Sequence, residues 1–279
     1  MATITSVDDN IYLEQEAPPP GFFARLYAAY YRPILGSTGI IALLAVWQWF
    51  GSANDNNALF SSFPTQVIAT GWDLITSGEL AADVVISGKE FLYGFVLAIL
   101  TGIPLGILMG WYRPIDALLD PLVNFFYATP RIALLPLMII WLGIGINSKI
   151  AMVYTGAVFA VLINTLTGVR NLDESLLRRA RSFGASDVQI FRTIALPGSV
   201  PFILSGLRLG LGHALIGVVV GELYAATAGV GYLIAVAGNT FQTDKVMVGV
   251  IVIASMGVLC TALFKRIEDH FQSWRPQHA

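Results

Sequence analysis

The sequence predicts an all-α polytopic membrane protein with about six transmembrane helices and with both termini on the cytoplasmic side. Hydrophobic residues make up 56% of its 279 residues, charged residues make up 12%, and the mean hydropathy is +0.70. Because soluble domains carry about 25% charged residues, this chain lacks the polar surface that water requires. Long apolar runs and a one-sided distribution of lysine and arginine favour the same fold class.

Residues 1–34 are predicted to form a cytoplasmic tail and an interfacial helix. The acidic residues and the triple proline of positions 1–20 do not fit a secretory signal, which is basic and then apolar. After the prolines, Phe22, Leu26 and Tyr30 recur at helical spacing and indicate an aromatic helix lying in the membrane interface. The alternative is that these residues begin the first span.

Six apolar segments are candidates for spans, since a helix needs about 20 apolar residues to cross a bilayer. Pro130 and Pro136 interrupt the third segment, which predicts two half-helices or a kinked helix. Residues 64–77 predict a surface helix, and residues 225–245 predict a re-entrant hairpin or a short helix. The six segments, within a transmembrane domain at 35–270, are residues 35–51, 86–110, 121–143, 148–169, 201–224 and 246–264.

The direction of the spans follows from the basic residues of the loops. With the N-terminus inside, 11 of the 16 lysines and arginines fall in inner loops and tails. Three fall outside, namely Lys89, Lys149 and Lys245. This assignment makes residues 171–200 a cytoplasmic loop and residues 271–279 a cytoplasmic tail. The formal net charge of −2 does not favour nucleic acid as a partner.

The loop at residues 171–200 is a polar, basic segment between two apolar runs, and it predicts two short helices. Acidic residues at 173–174 suit the first turn of a helix, and Gly184 suits its end. Residues 186–187 suit the cap of a second helix, which Leu196-Pro197 is expected to stop. A helix, a glycine and a second helix make a short amphipathic element that protrudes toward a partner.

The spacing from Gly184 through Ile194 to Leu196-Pro197 resembles the cytoplasmic EAA loop of binding-protein-dependent ABC importer permeases. The resemblance covers residues 85–270 and is strongest to the nitrate, sulfonate and taurine branch. The family's Glu-Ala-Ala positions hold Arg178, Arg179 and Ala180 in this chain. The short segments that carry the resemblance are Ala133–Leu137, Trp141–Gly145, Ser148–Ile150, Phe183–Ser186 and Gly229–Ile234.

This resemblance implies a type I ABC importer permease in the inner membrane. It implies two copies of the chain as a homodimer, ABC ATPase subunits inside and a solute-binding protein outside. The solute is expected to be a small anion, such as a sulfonate, taurine, nitrate or bicarbonate; the alternatives are a pyrimidine vitamin precursor or an aromatic acid. The residues implied to couple the ATPase are Gly184, Ala185, Ser186, Asp187, Ile190, Phe191, Ile194, Leu196 and Pro197.

Polar residues inside spans are candidates for the solute pathway. Arg131 is expected either to attract an anion or to reach the cytoplasmic head groups. Glu222 is a gate, a contact to the binding protein or an interfacial carboxylate. Asn164 is expected to bond a neighbouring helix, and His213 is interpreted as a packed core histidine.

Glycines recur at intervals of four residues in two spans, with Gly102, Gly106 and Gly110 in the second. Small residues at this spacing let helices approach closely. We interpret these faces as packing within one chain; the alternative is a seam between two copies.

The chain has no recognisable chemistry of its own. The phosphate-binding pattern G-x4-G-K-[ST] is missing from the sequence, so ATP is expected to bind a separate subunit. With three histidines and one cysteine, neither a metal site nor another cofactor is expected, and the protein is predicted not to be an enzyme. A secondary transporter is the main alternative, but it usually shows inverted repeats and intramembrane charge pairs.

Overall fold

The computed structural model describes residues 22–53 and 62–270, and all regular structure in those ranges is helical. The tails predicted at residues 1–20 and 271–279 lie outside the described residues. The α-helices are α1 (Phe22–Ser52), α2 (Pro64–Thr76), α3 (Glu79–Trp111), α4 (Arg113–Ala128), α5 (Leu135–Leu142), α6 (Ile146–Arg170), α7 (Glu174–Ser182), α8 (Asp187–Ile190), α9 (Leu196–Ala225), α10 (Val230–Asn239) and α11 (Thr243–His270).

The chain forms two compact units, residues 1–50 and residues 51–279, and α1 makes up most of what is described of the first. Its part from Pro33 to Ser52 is apolar and long enough to cross a membrane. The predicted interfacial helix is continuous with this span, although the side chains of residues 22–29 lie outside the described ones. Ser37 donates a hydrogen bond of 2.8 Å to the carbonyl of Pro33, one turn earlier.

In the second unit α6 lies between α3 and α9 and packs along both. These three helices are apolar enough to cross a membrane, as is α11, which confirms four more of the predicted spans. Their shared core is made of small and branched side chains, which pack closely in lipid. Its buried residues are Phe95, Ala98, Val153, Ala157, Val158, Leu211, Ala214 and Val218.

Gly102, Gly106 and Gly110 of α3 face α6 within the chain, as predicted. A Cβ added at Gly106 would lie 2.6 Å from the carbonyl oxygen of Leu162, a distance that side chains do not adopt. The regularly spaced glycines of α9, Gly206, Gly210, Gly217 and Gly221, also meet α6. A seam between two copies is therefore wrong for these faces, because α6 already covers them.

The third predicted span is broken, as its prolines indicated. The helices α4 and α5 meet at 92°, joined by a 3-10 turn at Arg131–Leu134. Thr129 is extended, the conformation that the ring of Pro130 favours at the residue before it. Pro136 lies in the first turn of α5, where its missing N–H costs no helical hydrogen bond.

The predicted end of the second loop helix at Leu196-Pro197 is wrong. A π-helical turn at Phe191–Ala195 joins α8 to α9, so that one helix of 38 residues runs from Asp187 to Tyr224. Leu196 donates its N–H to the carbonyl of Phe191, five residues back. This wider turn rearranges the backbone bonds just before Pro197, which therefore lies in the first turn of α9 without ending the helix.

The remaining helices pack around this bundle. The predicted surface helix is α2, which packs on α3 and α11 and exposes Ile68 and Trp72. Thr70 donates a hydrogen bond of 2.7 Å to Asp244 at the start of α11. The segment at residues 225–245 contains the short helix α10, which packs against α9 and α11.

Candidate coupling surface and solute pathway

The helix α7 begins with a side-chain cap. The carboxylate of Asp173 accepts a hydrogen bond of 2.7 Å from the N–H of Ser175. Hydrogen bonds from Ser175 lower the pKa of Asp173 below its ordinary value, so this cap is ionised at neutral pH. The last turn holds Arg179 and Arg181, whose charges suit the C-terminal end of a helix.

Gly184 turns the chain between α7 and α8 with a φ of +77°, in the left-handed region. Nothing lies within 4 Å of the place where its Cβ would be, so conformation, not space, requires the glycine. Ser186 then caps α8 in a reciprocal pair with Gln189. The N–H of Ser186 donates to Gln189 Oε1 at 2.8 Å, and the N–H of Gln189 donates to Ser186 Oγ at 3.3 Å.

The end of α8 and the π-helical turn that follows it pack against the bundle. Ile190 is fully buried, and the ring of Phe191 meets Trp111 at the end of α3 edge to face, with centroids 5.4 Å apart. Because Phe191 lies in the π-helical turn, this contact is part of the 38-residue helix. The backbone of α8 is therefore continuous with the span.

Three large apolar side chains of this segment are uncovered. Phe183 is 90% exposed and Val188 is 61% exposed, and Leu176 on α7 is also exposed. We name these three residues the coupling surface. Arg178, Arg179 and Arg181 on α7 are also exposed. Large uncovered apolar side chains in a polar segment make this a candidate surface for contact with another protein.

The predicted coupling residues are thus divided by the structure. Ala185, Ser186 and Asp187 lie in the exposed turn and the first turn of α8, whereas Ile190 and Phe191 pack against the bundle. Ile194 belongs to the π-helical turn, and Leu196 and Pro197 begin α9.

Arg131 lies in the wall of a cavity of about 350 Å³ at the break between α4 and α5. Its guanidinium carbon is 5.8 Å from the centroid of the Tyr127 ring. Among the described residues no carboxylate forms an ion pair with Arg131. The wall also includes Thr129, Met152, Gly156, His213 and Gly217.

His213 and Asn164 differ in their relation to this cavity. His213 lines it and is half-buried, with Nδ1 3.0 Å from the carbonyl oxygen of Leu209. Asn164 lies outside the cavity wall and donates a hydrogen bond of 2.8 Å to Ala160 of its own helix. The predicted bond from Asn164 to a neighbouring helix is therefore wrong, although its Cβ packs against Gly206 of α9.

Glu222 is fully buried near the C-terminal end of α9 and does not line the Arg131 cavity. Its Oε1 accepts a hydrogen bond of 2.6 Å from Ser87, and its Oε2 accepts one of 2.6 Å from the N–H of Gly231. Both oxygens are thus occupied within the chain.

Glu222 belongs to a buried polar cluster, which we define as Asp83, Ser87, Glu90, Lys149 and Glu222. Lys149 had been assigned to an outer loop, but it is buried in α6 and lies 3.8 Å from Glu90. It also donates a hydrogen bond of 3.1 Å to the carbonyl of Ile144. Sequence reasoning missed the α3 members, although positions 83, 87 and 90 share one helical face.

Comparison with known proteins places this chain among membrane transport subunits. The family model described as "Binding-protein-dependent transport system inner membrane component" matches residues 102–275. The taurine transport system permease protein TauC of Escherichia coli (strain K12) is 34% identical over 87% of this chain and 90% of its own length. The putative aliphatic sulfonates transport permease protein SsuC of Bacillus subtilis (strain 168) is 36% identical over 84% of each chain.

Solved structures show the same fold at lower identity. A chain of the inward-facing MetNI methionine ABC transporter matches with a TM-score of 0.59 and 19% identity, over 71% of this chain and 98% of that one. A chain of an amino acid ABC transporter solved with histidines matches with a TM-score of 0.55 and 16% identity, over 72% and 95%. These matches show that the architecture is that of type I ABC importer permeases.

Proposed function

Since this chain belongs to the family of binding-protein-dependent transport system inner membrane components, we propose that it forms the solute pathway of an ABC importer driven by a separate ATPase. The observation that carries this proposal is the coupling surface, whose Val188 lies in the first turn of the 38-residue helix and whose Phe183 lies just before that helix. Exposed Phe183 and Val188 dock onto the ATPase subunit, while Ile190 and Phe191 hold the same turn to the bundle. Closure of the ATPases then moves the helix as one rigid element.

The orientation follows from this assignment together with the basic loops. The coupling loop at residues 171–200 lies in the cytoplasm, as do the tails at 1–34 and 271–279, and residues 35–270 form the permease domain. A second copy completes the pathway, because the described part of one chain has five apolar helices and one broken pair. A solute-binding protein delivers the solute on the opposite side.

We propose that the solute is a small anion. Relatives named for taurine, aliphatic sulfonates and nitrate, the last 28% identical, support this class. In the cavity of about 350 Å³, Arg131, which forms no ion pair among the described residues, supplies positive charge. A guanidinium binds a planar or tetrahedral oxyanion with paired hydrogen bonds, so this wall suits a sulfonate or nitrate group.

Co-purification tests the docking surface. The tagged chain is purified from its own cells, and the ABC ATPase that accompanies it is quantified for the wild type, Phe183→Asp and Ser182→Asp. Burying a Phe side chain contributes about 1.5–3 kcal/mol, so we expect Phe183→Asp to lower ATPase recovery at least about tenfold. Ser182→Asp adds the same charge at the neighbouring exposed residue and is expected to retain the ATPase. A wild-type chain that carries no ABC ATPase contradicts the proposal.

A further inference from the structure

The helix α10 begins without a capping side chain of its own. Gly229 occupies its N-cap position, yet three successive backbone N–H groups find acceptors on other helices. Gly229 donates to Asp83 Oδ1 at 2.8 Å, Val230 donates to Ser87 Oγ at 2.9 Å, and Gly231 donates to Glu222 Oε2 at 2.6 Å. The first N–H groups of a helix lack partners inside it, and carboxylates are favoured there by the helix dipole.

Ser87 joins the three helices that meet at this cap. Its hydroxyl accepts from Val230 of α10 and donates to Glu222 of α9 at 2.6 Å, while Ser87 itself belongs to α3. Ser87, Glu222 and Val230 are all at most 1% exposed, so water does not compete for these bonds.

Two glycines make this close approach feasible. Gly229 has a φ of +115°, which disfavours any residue with a Cβ. At Gly231 an added Cβ would lie 2.6 Å from the Cβ of Glu222. The Gly-Val-Gly sequence at 229–231 is therefore explained by contact with the carboxylate of α9.

Glu222, which binds the start of α10, and α8 lie at opposite ends of one helix. Asp187 and Glu222 both belong to the 38-residue helix, and at 1.5 Å per residue the distance between them is about 50 Å. A continuous helix transmits displacement along its axis. At the buried cap, Glu222 of that helix bonds Ser87 of α3 and Gly231 of α10.

We propose that Asp83, Ser87 and Glu222 are positioning residues that lock α3, α9 and α10 into one moving unit. A displacement applied at α8 then carries α10 and the adjoining end of α3 with α9, and this movement opens or closes the pathway at the end opposite the ATPase. The inference rests on the proposed function, since it requires that α8 is displaced by an ATPase.

Ser87→Ala tests this unit in the reconstituted complex of permease, ATPase and binding protein. The variant removes two hydrogen bonds and leaves the buried N–H of Val230 without its acceptor. We expect solute uptake per ATP hydrolysed to fall about tenfold while hydrolysis continues. Ser199→Ala is the matched control, because Ser199 is equally buried but bonds only Leu196 of its own helix turn.

Spin labels at Val236 on α10 and Leu92 on α3, both exposed, report the unit directly in a Cys260→Ala background. Without the Ser87 substitution the distance is expected to be the same with and without trapped ATP. With Ser87→Ala it is expected to change between the two states.

Three outcomes are distinguishable. Equal uptake per ATP and equal label distances in Ser87→Ala and the wild type would overturn the inference. Uptake and hydrolysis that fall together, with an unchanged ratio, would show a structural role only and would also overturn it. If Ser87→Ala does not fold, Ser87→Cys replaces it in the uptake and hydrolysis measurements only, because sulfur fills a similar volume but bonds weakly, and its thiol would compete for the spin label. A wild-type complex without ATP-driven uptake would instead remove the proposed function.

Discussion

Arg131 is the charged side chain on which the proposed preference for anions depends. Pro130 follows the end of α4, and the break leaves Arg131 in the cavity wall. The ring of Tyr127 and the guanidinium lie within cation–π distance, which orients the side chain. A charge held in this way at membrane depth is typical of a solute pathway.

Replacing Arg131 by Ala is expected to lower uptake of labelled taurine, sulfonate or nitrate by about ten- to hundredfold, because a hydrogen bond to a charged group contributes about 1.5–3 kcal/mol. Uptake is measured in vesicles that contain the complete transporter. Arg131→Lys keeps the charge and is expected to retain part of the uptake. Co-purification of the ATPase is expected to be unchanged in both variants, and normal uptake by Arg131→Ala would contradict the proposed role.

Lys149 and Glu222 show how residue type misleads when position in the bundle is unknown. Both lie near the ends of apolar segments, where a charged residue usually meets water or head groups. In the fold both are buried, and Lys149 pairs with Glu90 while Glu222 caps α10. Their partners are distant in sequence, Ser87 being 135 residues from Glu222, so sequence spacing did not reveal the contact.

At the scale of elements, glycines determine how closely the helices pack. Gly102, Gly106 and Gly110 lie on one face of α3 and bring its backbone against α6. Gly88 belongs to the same helix but has nothing within 4 Å of its Cβ position. The two kinds of glycine therefore predict opposite responses to alanine.

Gly106→Ala is expected to destabilise the protein by about 1–3 kcal/mol, because its Cβ would meet the backbone carbonyl of Leu162 and force α3 and α6 apart. Gly88→Ala is the control and is expected to be neutral or slightly stabilising, since alanine favours a helix. Thermal unfolding of the purified protein in detergent compares the two. A lower midpoint for Gly88→Ala than for Gly106→Ala would refute this account.

The connection between α8 and α9 is the part of the fold that most affects the proposed function. The predicted stop at Leu196-Pro197 indicates a separate short helix. The π-helical turn at Phe191–Ala195 instead keeps the backbone helical through that point. As a result α8 is the first part of a span, and a displacement of α8 needs no intervening loop to reach α9.

At the scale of the whole molecule, basic residues set the proposed direction of insertion. The coupling loop carries Arg178, Arg179, Arg181 and Arg192, and the segment at residues 62–79 carries none. Basic loops remain in the cytoplasm, so the two segments are expected on opposite sides of the membrane.

Cysteine labelling tests this topology. Single cysteines at Ser77 and at Ser182, both exposed, are made in the Cys260→Ala background. A membrane-impermeant maleimide added to spheroplasts is expected to label position 77 and not position 182, because the latter faces the cytoplasm. Permeabilised cells provide the control in which both are labelled. Labelling of position 182 alone in intact spheroplasts would reverse the orientation.

Much of the fold was predictable because lipid restricts a spanning chain to helices whose length and hydropathy are visible in sequence. The spans, the break at Pro130, the surface helix α2 and the turn at Gly184 follow from local properties and are confirmed. The prediction for Asn164 is wrong because its amide bonds the carbonyl four residues earlier in its own helix, a local partner that competes with any on a neighbouring helix. The roles of Arg131 and of the coupling residues remain predictions.

The sequence by itself determined which segments are helical and membrane-spanning, which family the chain belongs to and which loop is the candidate for coupling. These features depend on the length of apolar segments, on glycine conformation and on short sequence matches, all of which are properties of neighbouring residues. Only the tertiary structure decided that α8 and α9 are one helix, that the glycines face α6 and that Asp83, Ser87 and Glu222 cap α10. Those features depend on residues far apart in the chain, or on a backbone bond pattern that side-chain preferences do not specify, and packing selects them.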